Sequence, residues 1–430
     1  MKVGILTMFN GLERTYSLVN VVAEHIRMLL DDGIAVKLLV CEDINESEKS
    51  GIYLDPRIEW VKVCNRYQGE QLHWRDYSSP QVPIHSTLLE EARVVGEDLI
   101  KKLKDVDVCM MHDIHYQGWH LLHNLAVRYA SQYLPHLRFI AMTHSMPDTT
   151  QVGKHIEWPH SARYTPMPNT VYAYPTACGL EALSRQYQVS RDKCYVINNT
   201  LDLFENMREE VRYLYTQVDF ISPDILMVYP ARFTEAKQFE KIVILAAAIK
   251  RVSALSVKVI FCEFPASDTP QEQYKSKIRN IATQGGLTNE EVIFTSDYGF
   301  TNGLNRNAVL DLFTLSNLYI CPSFAESFGL TVLEAASRGN FIVLNKSVPA
   351  LRELGESIEA YFMNWDARGF DNIITINYTF SEEDYNEAHA KQIISEIRKN
   401  KILVAKTLCR QRYSPKWVFE NQLKPLLLMK

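Results

Sequence analysis

The sequence lacks long apolar runs, paired cysteines and an excess of positive charge. Its longest apolar run, Ile242 to Ile249, has only eight residues, so we expect neither a membrane-spanning helix nor a signal peptide. The eight cysteines show no C-x-x-C spacing and several lie in apolar strand-like runs, which predicts reduced thiols in a cytoplasmic protein. The net charge of −5 argues against a nucleic-acid partner.

What is present favours two α/β domains. The chain has 430 residues, 47% of them hydrophobic, which is enough for two separate cores. Val3 to Met8 predicts a strand buried on both faces, and Leu18 to Leu30 predicts a helix that Gly33 ends. Continued alternation of this kind is typical of a parallel sheet with its cleft at the carboxyl ends of the strands. No G-x-G-x-x-G follows the first strand, which weakens an NAD or FAD interpretation.

The most informative stretch runs from Cys321 to Ala336. The apolar run Leu318 to Ile320 before it predicts a strand, and the residues after Gly329 have helical spacing. Gly329 permits close approach of a ligand to the helix start, where free N–H groups bind anions. Glu326 precedes this point and Glu334 follows it. At the rise per residue of a helix, we expect the two carboxylates to lie roughly 8 to 12 Å apart. Such an arrangement suits a nucleotide-diphospho-sugar, which has hydroxyls at both ends and phosphate in the middle.

The same stretch resembles the E-x7-E motif of the retaining family-4 glycosyltransferases. Glu326 and Glu334 have the motif's spacing, and Phe328-Gly329-Leu330 supplies its F-G-L. Two positions depart from the family pattern: Phe341 stands where Pro is usual, and Pro349-Ala350 stands where a Gly pair is usual. These departures concern the shape of the donor-sugar pocket rather than the nucleotide site. Two solvated helix charges are the alternative interpretation of the carboxylates.

The resemblance implies the GT-B fold. That fold has two Rossmann-like domains with parallel sheets facing across a cleft and a C-terminal helix that crosses back to the N-terminal domain. We accordingly expect an acceptor-side domain over residues 1–200 with the C-terminal helix 412–430, and a nucleotide-sugar domain over 201–411. The charged segment up to Ser222 is interpreted as the linker.

Two cations follow the predicted strand Ile225 to Pro230. Arg232 and Lys237 match the R-x4-K spacing with which the resembled family clamps the diphosphate. Arg offers a forked donor and Lys a point charge to a group that gains negative charge as it leaves. The alternative is a pair of solvated surface charges.

The resemblance also implies the remaining site residues. The predicted catalytic set is Glu326, Arg232, Lys237 and His144. The predicted donor-binding set is Asn10, Gly11, Ser327, Phe328, Gly329, Leu330, Thr331, Glu334 and Tyr298. An ordinary turn at Gly11 and a strand-end histidine at His144 are the alternatives at those two positions.

Metal sites receive little support. Asp105 and Asp107 form a D-x-D that precedes an apolar strand, whereas a metal-binding D-x-D needs to end one. The histidines that follow this strand (His112, His115, His120 and His123, with Asp113) are typical of a cleft lining or of solvent-facing side chains rather than of a zinc site. The resemblance implies neither a metal nor a cofactor.

Residues 65–85, which include His73 and Trp74, form a long polar and aromatic loop that we assign to the acceptor side. Thr87 to Glu90 predicts a capping box.

The sequence thus predicts a glycosyltransferase that uses a UDP-, GDP- or ADP-sugar. Its acceptor is an unidentified hydroxyl compound, either a glycan, a lipid-linked molecule or a small molecule. Peripheral contact with the inner face of a membrane is compatible with this function. A nucleotide-sugar epimerase or hydrolase of the same fold, or an inactive nucleotide- or glycan-binding protein, are the alternatives.

Overall fold

The computed structural model describes residues 1–72 and 75–429, so His73 and Trp74 of the predicted acceptor loop lie outside the described residues. The chain divides into two compact units. The first comprises Met1–Asp202 with Tyr413–Lys430, and the second comprises Leu203–Arg412. Each unit has its own hydrophobic core.

The first unit is built on a seven-stranded parallel sheet in the order β3-β2-β1-β6-β7-β8-β9. The strands of this unit are β1 (Lys2–Leu6), β2 (Ala35–Cys41), β3 (Ile58–Val63), β4 (Arg66–Tyr67), β5 (Glu70–Gln71), β6 (Val108–His112), β7 (Arg138–Met142), β8 (Thr170–Tyr174) and β9 (Cys194–Val196). Its helices before the crossover to the second unit are α1 (Ser17–Asp31), α2 (Leu88–Leu103), α3 (Leu121–Tyr133) and α4 (Leu180–Tyr187). β4 and β5 form a separate antiparallel hairpin.

The local sequence explains these elements. Every residue of β6 is buried, as expected of a strand covered on both faces. α1 buries residues four apart, including Leu18, Val22 and Ile26, against the sheet. The helix stops because Gly33 takes φ +72° and its N–H donates to the carbonyl of Leu30 at 3.1 Å.

The second unit is built on a six-stranded parallel sheet in the order β12-β11-β10-β13-β14-β15. Its strands are β10 (Ile225–Arg232), β11 (Val257–Phe264), β12 (Val292–Phe294), β13 (Leu318–Cys321), β14 (Phe341–Asn345), β15 (Tyr361–Met363) and the antiparallel pair β16 (Ala367–Arg368) and β17 (Ile373–Ile374). Its helices are α5 (Glu209–Gln217), α6 (Phe239–Ser253), α7 (Gln271–Gln284), α8 (Arg306–Leu315), α9 (Leu330–Ser337), α10 (Pro349–Ser357), α11 (Glu382–Lys399) and α12 (Lys401–Arg412). The predicted pair of Rossmann-like sheets is confirmed.

In each sheet the strand order reverses once, between β1 and β6 in the first unit and between β10 and β13 in the second. The loops that leave two such strands run in opposite directions and open a crevice at their carboxyl ends. Asn10 and Asp113 follow the strands at the first crevice, while Lys237 and Glu326 follow the strands at the second.

The remaining chain returns to the first unit. Two short helices, α13 (Pro415–Val418) and α14 (Lys424–Leu428), belong to it, and Val418 is buried in one of its cores. Arg138 on β7 donates to the carbonyl of Leu427 at 2.6 Å. None of the helices in the described part of the chain has the length and apolar character needed to cross a bilayer.

Two local predictions were wrong. The segment interpreted as a linker contains α5, because Val211 and Leu214 supply an apolar face that is buried in the second core. Thr87 does not form a capping box, since its hydroxyl donates to the carboxylate of Glu91 instead. α11 and α12 are separate helices, because the Asn400 side chain accepts from the amides of Ile402 and Leu403 and starts the second one.

Candidate functional site

The loop between β13 and α9 has the predicted form of strand, tight turn and helix. Gly329 takes φ +89° and ψ +51° immediately before α9. A Cβ atom at this position would lie 3.1 Å from Leu351 Cδ2 and 3.2 Å from Val332 Cγ2, in a backbone conformation that side chains disfavour. Glycine therefore sets the path by which the chain enters α9. Glu326 lies in the loop before the helix, and Glu334 lies in its second turn.

Glu326 is held by two donors. Lys237 Nζ forms an ion pair with Glu326 Oε1, and the Ser323 hydroxyl donates to the same oxygen at 3.1 Å. About four-fifths of both charged side chains is buried. The pair joins residues 89 positions apart in the sequence, because their loops follow adjacent strands.

Behind this ion pair lies Tyr229 of β10. Its buried hydroxyl donates to the carbonyl of Lys237 at 3.0 Å and lies 3.2 Å from the hydroxyl of Ser323. Burial raises the pKa of Tyr229 well above its usual value, so the phenol stays protonated. Tyr229 thus supports two loops. One follows β10 and contains Lys237 (the cation loop), and the other follows β13 and contains Glu326 (the carboxylate loop). Sequence reasoning missed Tyr229 because a tyrosine inside an apolar strand has the pattern of a core residue.

Glu334 has a different partner. Arg306, the first residue of α8, donates from Nε to Glu334 Oε1 at 2.6 Å. The Glu334 side chain is 10% exposed whereas Arg306 is 66% exposed, so the guanidinium covers the carboxylate from the solvent side. Sequence reasoning also missed Arg306, because it lies 28 residues from Glu334 and in no motif.

Arg232 is not brought to the Lys237–Glu326 pair. It is the last residue of β10, and its guanidinium lies 3.7 Å from the carboxylate of Asp268, with both side chains more than half exposed. An exposed ion pair at this distance contributes little free energy. Arg232 can therefore reorient toward a bound anion at little cost.

The predicted donor-binding residue Tyr298 ends a 3₁₀ turn, Thr295–Tyr298, which is followed by Gly299 with φ +95°. Glu263 of β11 fixes this turn by accepting from the amides of Thr295 at 3.1 Å and Ser296 at 3.2 Å. Burial raises the pKa of the Glu263 carboxyl. Burial likewise raises the pKa of Tyr298.

The first unit contains the other predicted site residues. Asn10 and Gly11 line a pocket of about 380 Å³ together with Phe9, Glu13 and Tyr16. A Cβ at Gly11 would lie 3.1 Å from Glu48 Oε2, so a larger residue there would displace the Glu48 carboxylate.

His144 follows β7 and stacks on His112, with the ring planes 6° apart and His144 Nε2 3.0 Å from His112 Nδ1. Its backbone N–H donates to Asp113 at 2.8 Å, and His25 of α1 lies against the other ring at a centroid distance of 5.2 Å. Burial lowers the pKa of all three imidazoles, which are neutral at pH 7. The four histidines predicted after the strand that corresponds to β6 (His112, His115, His120 and His123) are all buried, so the solvent-facing alternative is wrong for them.

The D-x-D residues have structural partners. Asp105 accepts from Lys2 Nζ at 2.6 Å and Lys37 Nζ at 2.5 Å, and these bonds, Lys2 first, lower its pKa to about 2. Asp107 accepts from the backbone amide of Lys2 at 2.7 Å. Both lie before β6, at the end of the sheet away from the crevice. Within residues 1–72 and 75–429 no three His, Cys, Asp or Glu side chains form a group that could hold a metal ion.

The comparison with protein families agrees with the motif. Residues 211–360 match the family model described as glycosyl transferases group 1. No curated protein matches the sequence. Among solved structures, a glycosyltransferase from Rickettsia africae is 15% identical over 100% of this chain and 99% of its own, with a TM-score of 0.35. HepE from Anabaena, in complex with UDP and glucose, is 13% identical over 100% of both chains, with a TM-score of 0.37.

The family match spans β10 to α10 and includes Arg232, Lys237, Glu326 and Glu334. The resemblance to glycosyltransferases that the motif predicted is therefore confirmed for residues 211–360, the part of the chain that carries both carboxylates and both cations.

Proposed function

We propose that the protein is a retaining glycosyltransferase that moves a sugar from a nucleotide-diphospho-sugar to a hydroxyl acceptor. The observation that carries the proposal is the contact of Lys237 with Glu326 where the β10 and β13 loops meet. Lys237, a cation that can bind phosphate, therefore lies next to Glu326, a carboxylate that can accept hydrogen bonds from sugar hydroxyls. A donor that has a diphosphate next to a hexose needs this combination.

The diphosphate is assigned to Lys237, Arg232 and the start of α9. The first amides of α9, at Leu330 and Thr331, have no partner within the helix and face an anion favourably. As the sugar leaves, negative charge grows on the diphosphate, and two cations with oriented amides stabilise it. We expect this site to work without a metal ion.

The two carboxylates are assigned to the two ends of the donor. Both bonds to Glu326 end on Oε1, so Oε2 is the oxygen that we assign to a hexose hydroxyl. Arg306 likewise bonds Oε1 of Glu334, and Oε2 is assigned to the ribose hydroxyls. Glu326 also faces the positive charge that develops at the anomeric carbon.

The remaining assignments stay predictions. They are the contacts of Asn10, Gly11 and His144 with the donor, the lining of the donor site by Ser327 and Phe328, and the role of Tyr298 in donor binding. The base, the sugar and the acceptor are left open.

The test begins with a panel of UDP-, GDP- and ADP-sugars, assayed for thermal stabilisation of the wild-type protein. The stabilising donor is then incubated with and without hydroxyl acceptors, and the anomeric configuration of the product is determined by NMR. Acceptor-dependent product with the donor's configuration supports the proposal. Conversion of the donor alone indicates an epimerase or hydrolase, and binding without turnover indicates a binding protein.

A further inference from the structure

Gln238 has an unusual backbone conformation at the start of α6. It directly follows Lys237 and takes φ +49° and ψ +47°, in the left-handed region. Residues other than glycine, asparagine and aspartate rarely adopt this region, because their Cβ atom comes close to the following carbonyl oxygen. Glycine would adopt it without strain. A glutamine that persists here needs a compensating interaction.

The Gln238 side chain provides that interaction. It is 6% exposed, and its Nε2 donates to the carbonyls of Pro322 and Asp366, both at 2.8 Å. Pro322 directly follows β13 in the loop that carries Glu326, and Asp366 directly precedes β16. A single amide group therefore joins the cation loop, the carboxylate loop and the segment that enters the β16–β17 hairpin.

A second amide binds the same two carbonyls. Asn345 at the end of β14 is fully buried, and its Nδ2 lies 3.4 Å from the Pro322 carbonyl and 3.2 Å from that of Asp366. Asn345 therefore holds the carboxylate loop to the sheet, whereas Gln238 holds it to the loop of Lys237. The backbone adds one more link between these two loops, from Phe324 N–H to the Ala236 carbonyl at 2.8 Å.

We propose that Gln238 is a positioning residue that fixes the separation of Lys237 and Glu326. The inference rests on the proposed function, since it assigns these two groups to the diphosphate and the hexose of one donor. If the two loops are free to shift, the donor binds with its leaving group and its anomeric carbon out of alignment. A misplacement of about 1 Å can lower the rate about 100-fold.

Loss of the Gln238 amide should affect turnover more than stability. Replacement by glycine removes two hydrogen bonds but also removes the strain of the left-handed backbone, and these two effects are of similar size and opposite sign. We therefore expect Gln238→Gly to unfold within a few degrees of the wild type.

Gln188 provides a matched control. It is also a glutamine in the left-handed region, with φ +52° and ψ +44°, and its side chain donates to one carbonyl, that of Tyr164, at 3.1 Å. It lies at the end of α4 in the first unit, whereas both loops belong to the second. Gln188→Gly removes the same chemical group and the same strain from a different place.

The experiment has two readouts. Hydrogen exchange of the Phe324 amide in the ligand-free protein reports the link between the loops without requiring activity. We expect Gln238→Gly to exchange at least threefold faster there and to have a kcat at least tenfold lower, with KM for the donor changed less than threefold. Gln188→Gly should change none of these quantities.

Unchanged exchange at Phe324 in Gln238→Gly overturns the inference, whether or not the protein transfers sugar. A kcat that falls only in proportion to the loss of folded protein overturns it as well. If the wild type transfers no sugar and exchange at Phe324 still rises, the link between the loops stands and the proposed function fails.

Discussion

At the scale of single residues, Glu326 and Glu334 have different partners and so should have separable effects. A hydrogen bond to a charged group contributes roughly 1.5 to 3 kcal/mol, or about 10- to 100-fold in affinity. Glu334→Ala should weaken the nucleotide-sugar and the free nucleoside diphosphate by similar factors. Glu326→Ala should leave the affinity for the free nucleotide almost unchanged and lower turnover steeply. Calorimetric titration of the nucleoside diphosphate measures both affinities.

Glu356→Ala, at an exposed carboxylate on α10, is the control and should change neither quantity. If Glu326→Ala loses nucleotide affinity and Glu334→Ala keeps it, the donor lies the other way round.

The two cations give a second prediction at this scale. Arg232→Ala and Lys237→Ala should each lower kcat/KM by about 10² or more, since loss of one donor to the transition state typically removes roughly 3 kcal/mol. Lys250→Ala, which breaks the ion pair with Glu291 near the other end of α6, should leave kcat/KM unchanged. Steady-state kinetics decide the matter. Less than a threefold effect at both Arg232 and Lys237 would mean that the diphosphate binds elsewhere.

Metal independence is the third prediction. Asp105 is bound to Lys2 and Lys37 before β6, so its carboxylate serves the packing of the sheet. Turnover should persist in EDTA and should not require Mn²⁺, as measured by product formation after chelation. Asp105→Asn is the companion variant and should retain the wild-type kcat. Loss of activity in EDTA that Mn²⁺ restores would revive the D-x-D interpretation.

At the scale of elements, Gly329 decides how the chain enters α9. Gly329→Ala should destabilise the protein by about 1 to 3 kcal/mol through the left-handed backbone, and it should also lower turnover because the new Cβ displaces the helix start. Gly339 after the same helix has φ +71° and open space around its hypothetical Cβ. Gly339→Ala should therefore lower the stability through the same backbone strain but leave turnover unchanged. Denaturant unfolding and kinetics on both variants test this, and equal turnover losses would contradict it.

Much of this element could be predicted from the sequence. The apolar run before Pro322 and the helical spacing after Gly329 are local signals, and they specify strand, turn and helix without knowledge of the rest of the chain. The spacing of Arg232 and Lys237 at the end of β10 is equally local. Because all strands of a parallel sheet end at the same edge, the loops that these two local signals specify are expected to lie at the same edge of the sheet.

The contacts between these loops could not be predicted. Arg306 reaches Glu334 from a different helix, and the Gln238 amide reaches Pro322 in the loop after the neighbouring strand, β13. Neither contact leaves a spacing pattern, since side chains meet through the packing of the sheet rather than through sequence separation. The failure at Thr87 has a different origin, because its hydroxyl donates to Glu91, the residue after the predicted partner Glu90, within the first turns of the same helix.

At the scale of the whole molecule, the histidines are distributed unevenly. Eleven of the twelve belong to the first unit, and His389 is the single histidine of the second. Burial lowers the pKa of six imidazoles of the first unit: His25, His112, His115, His120, His123 and His144.

This distribution predicts that the first unit is the more acid-sensitive of the two. A pKa of about 3 for His25 lies below the unfolded value of about 6.5, so between these values the unfolded chain binds more protons than the folded one. Stability is then fully present above pH 6.5 and falls as the pH decreases, by roughly 2 kcal/mol at pH 5 for one such histidine. The measurement is the protection of backbone amides from hydrogen exchange at pH 7 and at pH 5.5. The loss of protection in β6 of the first unit is compared with that in β10 of the second. Equal losses of protection in both units would contradict the prediction.

The neutral, buried imidazoles also make the first unit a latent proton acceptor. When it unfolds in mildly acidic solution, the newly solvated rings withdraw protons from the buffer, and the apparent heat of unfolding then includes the buffer's own ionisation enthalpy. Calorimetric traces recorded at pH 5.5 in acetate and in histidine buffer should consequently differ in enthalpy for this unit. The difference divided by the gap between the two ionisation enthalpies counts the protons taken up.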